Sequence, residues 1–361
     1  MSKNSKLKIM HSNLWDGKSL SEALSQQIPP SISADHVSID SRAIKKDDIF
    51  IGIKGENHDG CDFAMDAIKN GAAIAVVDKK ISDDPRVIVV EDAYQALLNL
   101  AKYNRKRSQA TFVGITGSNG KTTTKELLTI ALTDLCEVYS TRGNYNNHIG
   151  LPLCLANMPK GIEVAVIEMG MSNPGEIQFL SELARPHVGI ITTISDVHRE
   201  NFSSTAGIAA AKSEIFAGMR EDDFAIVNVD HPYRNILTTS ASDQKLNVIT
   251  FGRAKDAMIK LLEVDYDIEN FCSKAKVQVN RNWYDITLNT LSEKTLENAL
   301  SILGVLTILK TDIDFAIKNL LKFQNVKGRG YVEKLKDKLL IDEAYNASPA
   351  STNAAIDVLG K

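Results

Sequence analysis

Residues 111–125 read Thr-Phe-Val-Gly-Ile-Thr-Gly-Ser-Asn-Gly-Lys-Thr-Thr-Thr-Lys. An apolar run with strand character enters a glycine-rich loop, and Gly120-Lys121-Thr122 opens a helix-like run, Thr122–Leu135. That order builds a phosphate cradle. Glycines let backbone N–H groups approach phosphate oxygens, and a helix N-terminus favours negative charge. Gly117, Ser118, Asn119, Gly120 and Thr123 are the cradle positions, Lys121 can reach terminal phosphates, and the Thr122 hydroxyl can ligate Mg²⁺. The spacing is not the common P-loop pattern: glycines stand at 114, 117 and 120, with isoleucine at 115. The plain alternative is a glycine-rich turn that binds nothing.

Around this stretch, strands and helices alternate from 111 to about 325. Strand candidates are Phe112–Thr116, Val164–Glu168, Val188–Thr193 and Ala225–Val229, with helix candidates Pro174–Leu183 and Ala206–Met219. Alternation with nearly continuous apolar strands predicts an α/β fold with a doubly wound, mostly parallel sheet covered on both faces. Residues 258–290 read as added strands, and Leu296–Leu309 and Ile313–Leu321 as helices. Upstream, Val37–Ser41, Ile49–Ile53, Ala72–Val77 and Val87–Val90 are short strands, with helices Asp62–Asn70 and Asp92–Arg107. The charged end of that last helix, Lys102–Arg107, reads as a solvated boundary. Beyond Gly328 there is one strand, Lys338–Asp342, and one helix, Pro349–Leu359. Such a pair cannot bury its apolar faces alone, so the expectation is a third domain that is largely missing.

Composition narrows the class. The 361 residues carry 43% hydrophobic and 24% charged residues and a net charge of −3. No basic field predicts a nucleic-acid partner. No apolar run approaches the ~20 residues of a membrane span, and Met1–Lys8 lacks the apolar core of a signal peptide. Cys61, Cys136, Cys154 and Cys272 lie far apart and read as buried free thiols of a cytoplasmic protein.

Ligands of open α/β sheets sit outside the carboxyl ends of the strands. The glycine-rich loop, Glu168, His198 and Asp342 all follow strand ends, so one crevice can collect them. Glu168 suits a magnesium shell better than His198 does, and His198 also reads as an ordinary hydrogen-bonded loop histidine. Lys212 shares an apolar helix stripe with Ile208, Ile215 and Met219. A lysine there ordinarily snorkels to water. Burial would instead lower its pKa and leave a neutral amine able to take up CO₂ as a carbamate, an anionic oxygen ligand.

The chain resembles the Mur ligases from about residue 36 to 361. The carriers are Ser38-Ile-Asp-Ser-Arg42, Gly114–Glu126, Gly143-Asn-Tyr-Asn-Asn-His-Ile-Gly-Leu-Pro152, Glu168-Met-Gly170, His198 with Glu200, Ala211-Lys-Ser-Glu214, Gly328-Arg329 and Asp342–Pro349. The Asn-Asn-x-Ile-Gly and Glu-Met-Gly segments point to the branch that adds D-alanyl-D-alanine to UDP-N-acetylmuramoyl-tripeptide. The resemblance implies a monomer with three domains: residues 1–107 for the uridine nucleotide, 108–326 for ATP, and 327–361 as the start of a Rossmann-like ligase domain. It places Ser38, Asp40, Ser41 and Arg42 at the uridine nucleotide and Asn144 and Asn147 at the substrate and metal region. Lys121 and Thr122 would hold phosphates, with Thr122, Glu168, His198 and a carbamylated Lys212 on Mg²⁺. Asn298, Arg329 and Asp342 would contact ATP. Read from the residues alone, Asn144 and Asn147 are turn formers, Arg329 is a surface arginine and Asp342 a helix-capping aspartate. Lys294-Thr295 stand where many relatives carry His-Asn, and Ser348 replaces a usual asparagine. The implied reaction is ATP-driven amide ligation through an acyl phosphate. A non-catalytic nucleotide-binding remnant, half of a split enzyme, and a ligase for another amino-acid acceptor are the alternatives.

Overall fold

The computed structural model describes residues 13–196, 201–336, 338–345 and 349–360. The chain forms two compact units.

The first unit comprises residues up to Ser108 together with Pro152–Lys160. A two-stranded ribbon, β1 (Trp15–Asp16) with β2 (Ser33–Ala34), brackets helix α1 (Gly17–Leu24). Next come β3 (His36–Ser38), β4 (Asp48–Ile51), α2 (Ala64–Lys69), β5 (Ile74–Val77), β6 (Val87–Val89) and α3 (Ala93–Arg107). Strands β3 to β6 make a four-stranded parallel sheet in sequence order. Asp92 caps α3 through its carboxylate on the Gln95 N–H, and Arg105, Lys106 and Arg107 complement the helix dipole at its other end. Arg107 departs from the solvated end expected. Its guanidinium lies 4.7 Å from the Trp15 ring centre and donates to the Leu14 carbonyl at 2.8 Å, so its stem packs while its charge is stacked.

The second unit holds the rest. Its elements are β7 (Thr111–Thr116), α4 (Lys121–Ala131), β8 (Val138–Ser140), α5 (Gly150–Ala156, whose end counts with the first unit), β9 (Val164–Glu168), α6 (Glu176–Ala184) and β10 (Val188–Ile191). Then follow α7 (Thr205–Ser213), β11 (Phe224–Asn228), α8 (Arg234–Asp243), β12 (Asn247–Gly252), β13 (Ile259–Asp267), β14 (Cys272–Val279) and β15 (Asn282–Leu288). The unit closes with α9 (Glu293–Leu309), α10 (Ile313–Leu320), β16 (Tyr331–Leu335), β17 (Lys338–Asp342) and α11 (Pro349–Leu359).

The main sheet runs β8-β9-β7-β10-β11-β12-β13-β14-β15, parallel up to β13 and antiparallel over the last two pairs. Leu127, Leu128, Leu296, Leu300 and Leu303 of α4 and α9 join Val113, Ile115, Val166 and Ile226 of the strands in one buried cluster. On the opposite face, Gly114 lets Pro186, Ile215 and Met169 approach the sheet. Covered faces explain the continuous apolar strands. Register places Ile115 beside Glu168 and Thr116 beside Ile191, so the loops after β7, β9 and β10 emerge together.

Further features differ from expectation. Helix 206–219 stops at Ser213 and passes into a 3₁₀ turn, Glu214–Phe216, because the Glu214 carboxylate turns to accept the N–H groups of Gly175 and Gln178 at the start of α6. The piece after Gly328 has two strands, β16 pairing β17 antiparallel. Cys136 is only half-buried, while Cys61, Cys154 and Cys272 are buried, and none of the four is in a disulfide. No helix among the described residues is long and apolar enough to cross a membrane.

Candidate functional site

A crevice of about 660 Å³ opens at the carboxyl ends of β7, β9, β10 and β11, entirely within the second unit. Ser118, Asn119, Gly120, Lys121 and Thr123 line it from the glycine-rich loop. Gly117 and Gly120 have φ of 150° and 84°, conformations glycine adopts without strain. A Cβ on Gly117 would collide with the Thr192 hydroxyl, and one on Gly120 would lie 2.7 Å from the Asn298 amide. No side chain caps α4 at Gly120, so its first N–H groups face the crevice. The loop is pinned from β10: Ser118 N–H donates to the Thr193 carbonyl at 2.8 Å, and Ser118 Oγ and Ser195 bond reciprocally.

Lys121 is half-buried and folds its ammonium back onto the Gly117 carbonyl at 2.8 Å. Crowding by protein lowers its pKa, the positive charge of Arg329 lowers it further, and Glu168 opposes both. Glu168, 1% exposed at the end of β9, accepts the Thr122 hydroxyl on Oε2 at 3.0 Å and the Asn146 amide on Oε1 at 2.8 Å. Its N–H donates to Thr141 Oγ1 at 2.9 Å. A buried carboxylate needs such partners. Lys212 on α7 is 3% exposed, and its pKa is held well below the usual lysine value by burial and then by the charge of Lys121. Among the described residues no carboxylate stands at ion-pair distance from it.

The other walls come from α9 and the last segment. Asn298 is buried opposite Gly120. Lys294 pairs at 2.8 Å with Glu297, a buried carboxyl raised above its ordinary pKa by burial despite that lysine. Asp230 and His231 lie on the same side. Among the described residues neither buried ring nitrogen of His231 has a hydrogen-bond partner, and burial lowers its pKa. Arg329 reaches the crevice with its guanidinium 4.2 Å from the Tyr345 ring centre. Asp342 does not line the crevice. It accepts the Gly328 N–H at 2.9 Å and the Ala344 N–H at 3.1 Å, holding the turn that presents Arg329.

Asn147 lines the crevice and also takes the N–H groups of Ile149 and Gly150 at the start of α5. Asn144 does not line it, and the asparagine that meets Glu168 is Asn146. One residue that the sequence did not single out therefore matters here: Asn146, hidden in an asparagine-rich run. His198 and Glu200 lie outside the described residues, as does Ser348. Ser38, Asp40, Ser41 and Arg42 belong to the first unit. Ser38 Oγ accepts the Asp40 N–H at 3.1 Å, Asp40 caps the turn at Ser41–Ala43, and Arg42, 88% exposed, grips Asp40 with two N–H groups at 2.9 and 2.8 Å. That grip holds the Asp40 carboxyl below its ordinary pKa.

Glycine-rich loop and buried carboxylate at the carboxyl ends of neighbouring strands, with a buried lysine that feels the charge of Lys121, define a nucleotide-dependent α/β enzyme site. Residues 115–306 match the Mur ligase middle domain, and residues 33–108 match the Mur ligase family catalytic domain. The chain belongs to the Mur ligase family. It is 36% identical over 349 residues to the UDP-N-acetylmuramoyl-tripeptide–D-alanyl-D-alanine ligase of Rickettsia prowazekii, covering 96% of this chain and 77% of that protein. Among solved structures it is similar to MurF from Acinetobacter baumannii, at 30% identity and a TM-score of 0.87 over 96% of this chain and 76% of that one. It is also similar to the MurF ligase from Thermotoga maritima in complex with ADP, at 30% identity and a TM-score of 0.80, covering 90% and 74%.

Proposed function

We infer that this chain is an ATP-dependent amide ligase that joins D-alanyl-D-alanine to UDP-N-acetylmuramoyl-tripeptide in peptidoglycan precursor synthesis. The observation that carries the reading is Glu168, a buried carboxylate fixed by Thr122 and Asn146 at the mouth of the phosphate cradle. The named relatives support the acceptor, and neither a remnant without chemistry nor another acceptor is favoured.

The tripeptide carboxylate attacks the γ-phosphorus of ATP, and ADP leaves. The dipeptide amine then attacks the acyl carbon, inorganic phosphate leaves with one former carboxylate oxygen, and the amine loses a proton. The first step brings two anions together; unit charges ~3.5 Å apart repel by about 5 kcal/mol at an effective dielectric near 20. Lys121 and the uncapped N-terminus of α4 offset that repulsion with fixed positive charge. Arg329 adds a second cation on the facing wall.

The donor set fits Mg²⁺, which takes one or two carboxylates and leaves its other positions to phosphate and water. Among the described residues no cage of three or more His, Cys, Asp or Glu exists, as that coordination requires none. Thr122 and Glu168 would hold the ion, with His198 and carbamylated Lys212 as the further ligands. Bound there, it would neutralise charge on the phosphate oxygens. Ser38, Asp40, Ser41 and Arg42 would take the uridine nucleotide: the Asp40–Arg42 pair is exposed, worth little, and so exchangeable for a diphosphate. Segments 1–107, 108–326 and 327–361 would serve uridine nucleotide, ATP and ligation in turn.

The test uses tripeptide labelled with ¹⁸O in its terminal carboxylate. Transfer of one label into inorganic phosphate supports the acyl phosphate. Unlabelled phosphate formed with amide would overturn it.

A further inference from the structure

Lys125 is 1% exposed, and its ammonium has no place in the chemistry above. Its ammonium donates to the Thr141 carbonyl at 2.8 Å and the Gly143 carbonyl at 3.1 Å, and it pairs with Glu126 Oε1 at 3.2 Å. Burying an ammonium is costly unless every proton is taken up, so this set must persist while the site is intact. Two of the acceptors are backbone carbonyls of the segment that leaves β8. Within that segment Gly143, at φ 50°, faces open space, while Thr141 is buried and also bonds the Val166 carbonyl. The Thr141 hydroxyl receives the Glu168 N–H, and Asn146 receives the Gly170 N–H on its carbonyl while its amide holds Glu168 Oε1. Lys125 lies three residues after Thr122 on α4, hence on the same helix face.

We propose that Lys125 is a positioning residue, a cationic tether that ties the phosphate-facing helix to loop 141–147 and thereby sets Asn146 against Glu168. The proposal rests on the ligase reading. Lys125 touches neither nucleotide nor reacting atoms. Cutting the tether frees the loop, lets the Glu168 carboxylate turn, and leaves the cradle itself standing on its β10 contacts.

The test is Lys125→Met, with two readouts. In steady-state ligation, kcat falls about 10²-fold, the loss expected from an ångström-scale misplacement, while KM for ATP stays within about threefold. In hydrogen exchange of the nucleotide-free protein, Tyr145, Asn146 and Gly170 amides exchange at least about tenfold faster, and the Ser118 and Asn119 amides are unchanged. Should that variant not fold, Lys125→Gln keeps an amide NH₂ with two N–H donors and gives smaller shifts of the same pattern. Unchanged exchange at 145–146, or equal loss of protection in loop 141–147 and the cradle, overturns the tether. A wild-type chain that does not ligate would sink the ligase reading instead, and the exchange pattern alone would still judge Lys125.

Discussion

The Thr122 hydroxyl donates to Glu168 Oε2 at 3.0 Å, so the first turn of the phosphate-facing helix and the end of the neighbouring strand share one buried contact. Glu168→Gln replaces one acceptor oxygen by an NH₂, which either meets the Asn146 NH₂ donor to donor or forces the Thr122 hydroxyl to turn and accept. We expect kcat to fall by about 10²-fold or more, as for loss of a preorganised electrostatic group, with a melting temperature close to wild type. Wild-type turnover in this variant would remove Glu168 from the site.

Lys121→Ala removes the cation that folds over Gly117. Ligation drops by about 10²–10³-fold, and ADP binding measured by calorimetry weakens with it. Near-normal ligation would mean that the cradle does not hold the reacting phosphate.

Burial, and then the charge of Lys121, hold the Lys212 pKa well below the ordinary lysine value and so favour the neutral amine, the form that adds CO₂. With ¹³C-bicarbonate, the wild-type protein gives a carbamate carbon signal in NMR that Lys212→Ala lacks. Ligation by a CO₂-depleted preparation recovers on adding bicarbonate. Full activity of Lys212→Ala would exclude the carbamate from the chemistry.

Gly120 sits at φ 84° against Asn298. Gly120→Ala must carry a left-handed conformation and displace the buried amide, a cost of about 1–3 kcal/mol. Chemical denaturation should show that loss, together with weaker ADP binding.

His231 gives a pH signature. Burial holds its pKa below the ordinary 6.5, with Asp230 opposing. The unfolded chain therefore binds the proton more readily than the folded one. Its share of stability is fully present above 6.5 and is lost as pH falls toward the lower folded value. The melting temperature of wild type should drop more steeply than that of His231→Gln between about pH 7 and about pH 5. Parallel curves would show that His231 does not titrate differently on folding.

Much of this was written in the chain. The glycine-rich loop, the carboxylate ending Val164–Glu168, and Lys212 on an apolar stripe were all readable because each rests on local order or period. The choice among Asn144, Asn146 and Asn147 was not, since it depends on how loop 141–147 folds back to Glu168. Lys125 was not singled out, since the carbonyls its ammonium meets lie 16 and 18 residues away. Helix α8 escaped because Arg-Asn-Ile-Leu-Thr-Thr-Ser-Ala-Ser-Asp is polar and buries only Leu237 and Ala241. Strand β8 is three residues long, too short for a period to show.

Phosphate release by the purified chain with ATP, Mg²⁺ and UDP-N-acetylmuramoyl-tripeptide, measured with and without D-alanyl-D-alanine, is the most direct test. The account predicts dipeptide-dependent release with one amide product per phosphate. Nucleotide binding with no dipeptide-dependent phosphate would contradict it.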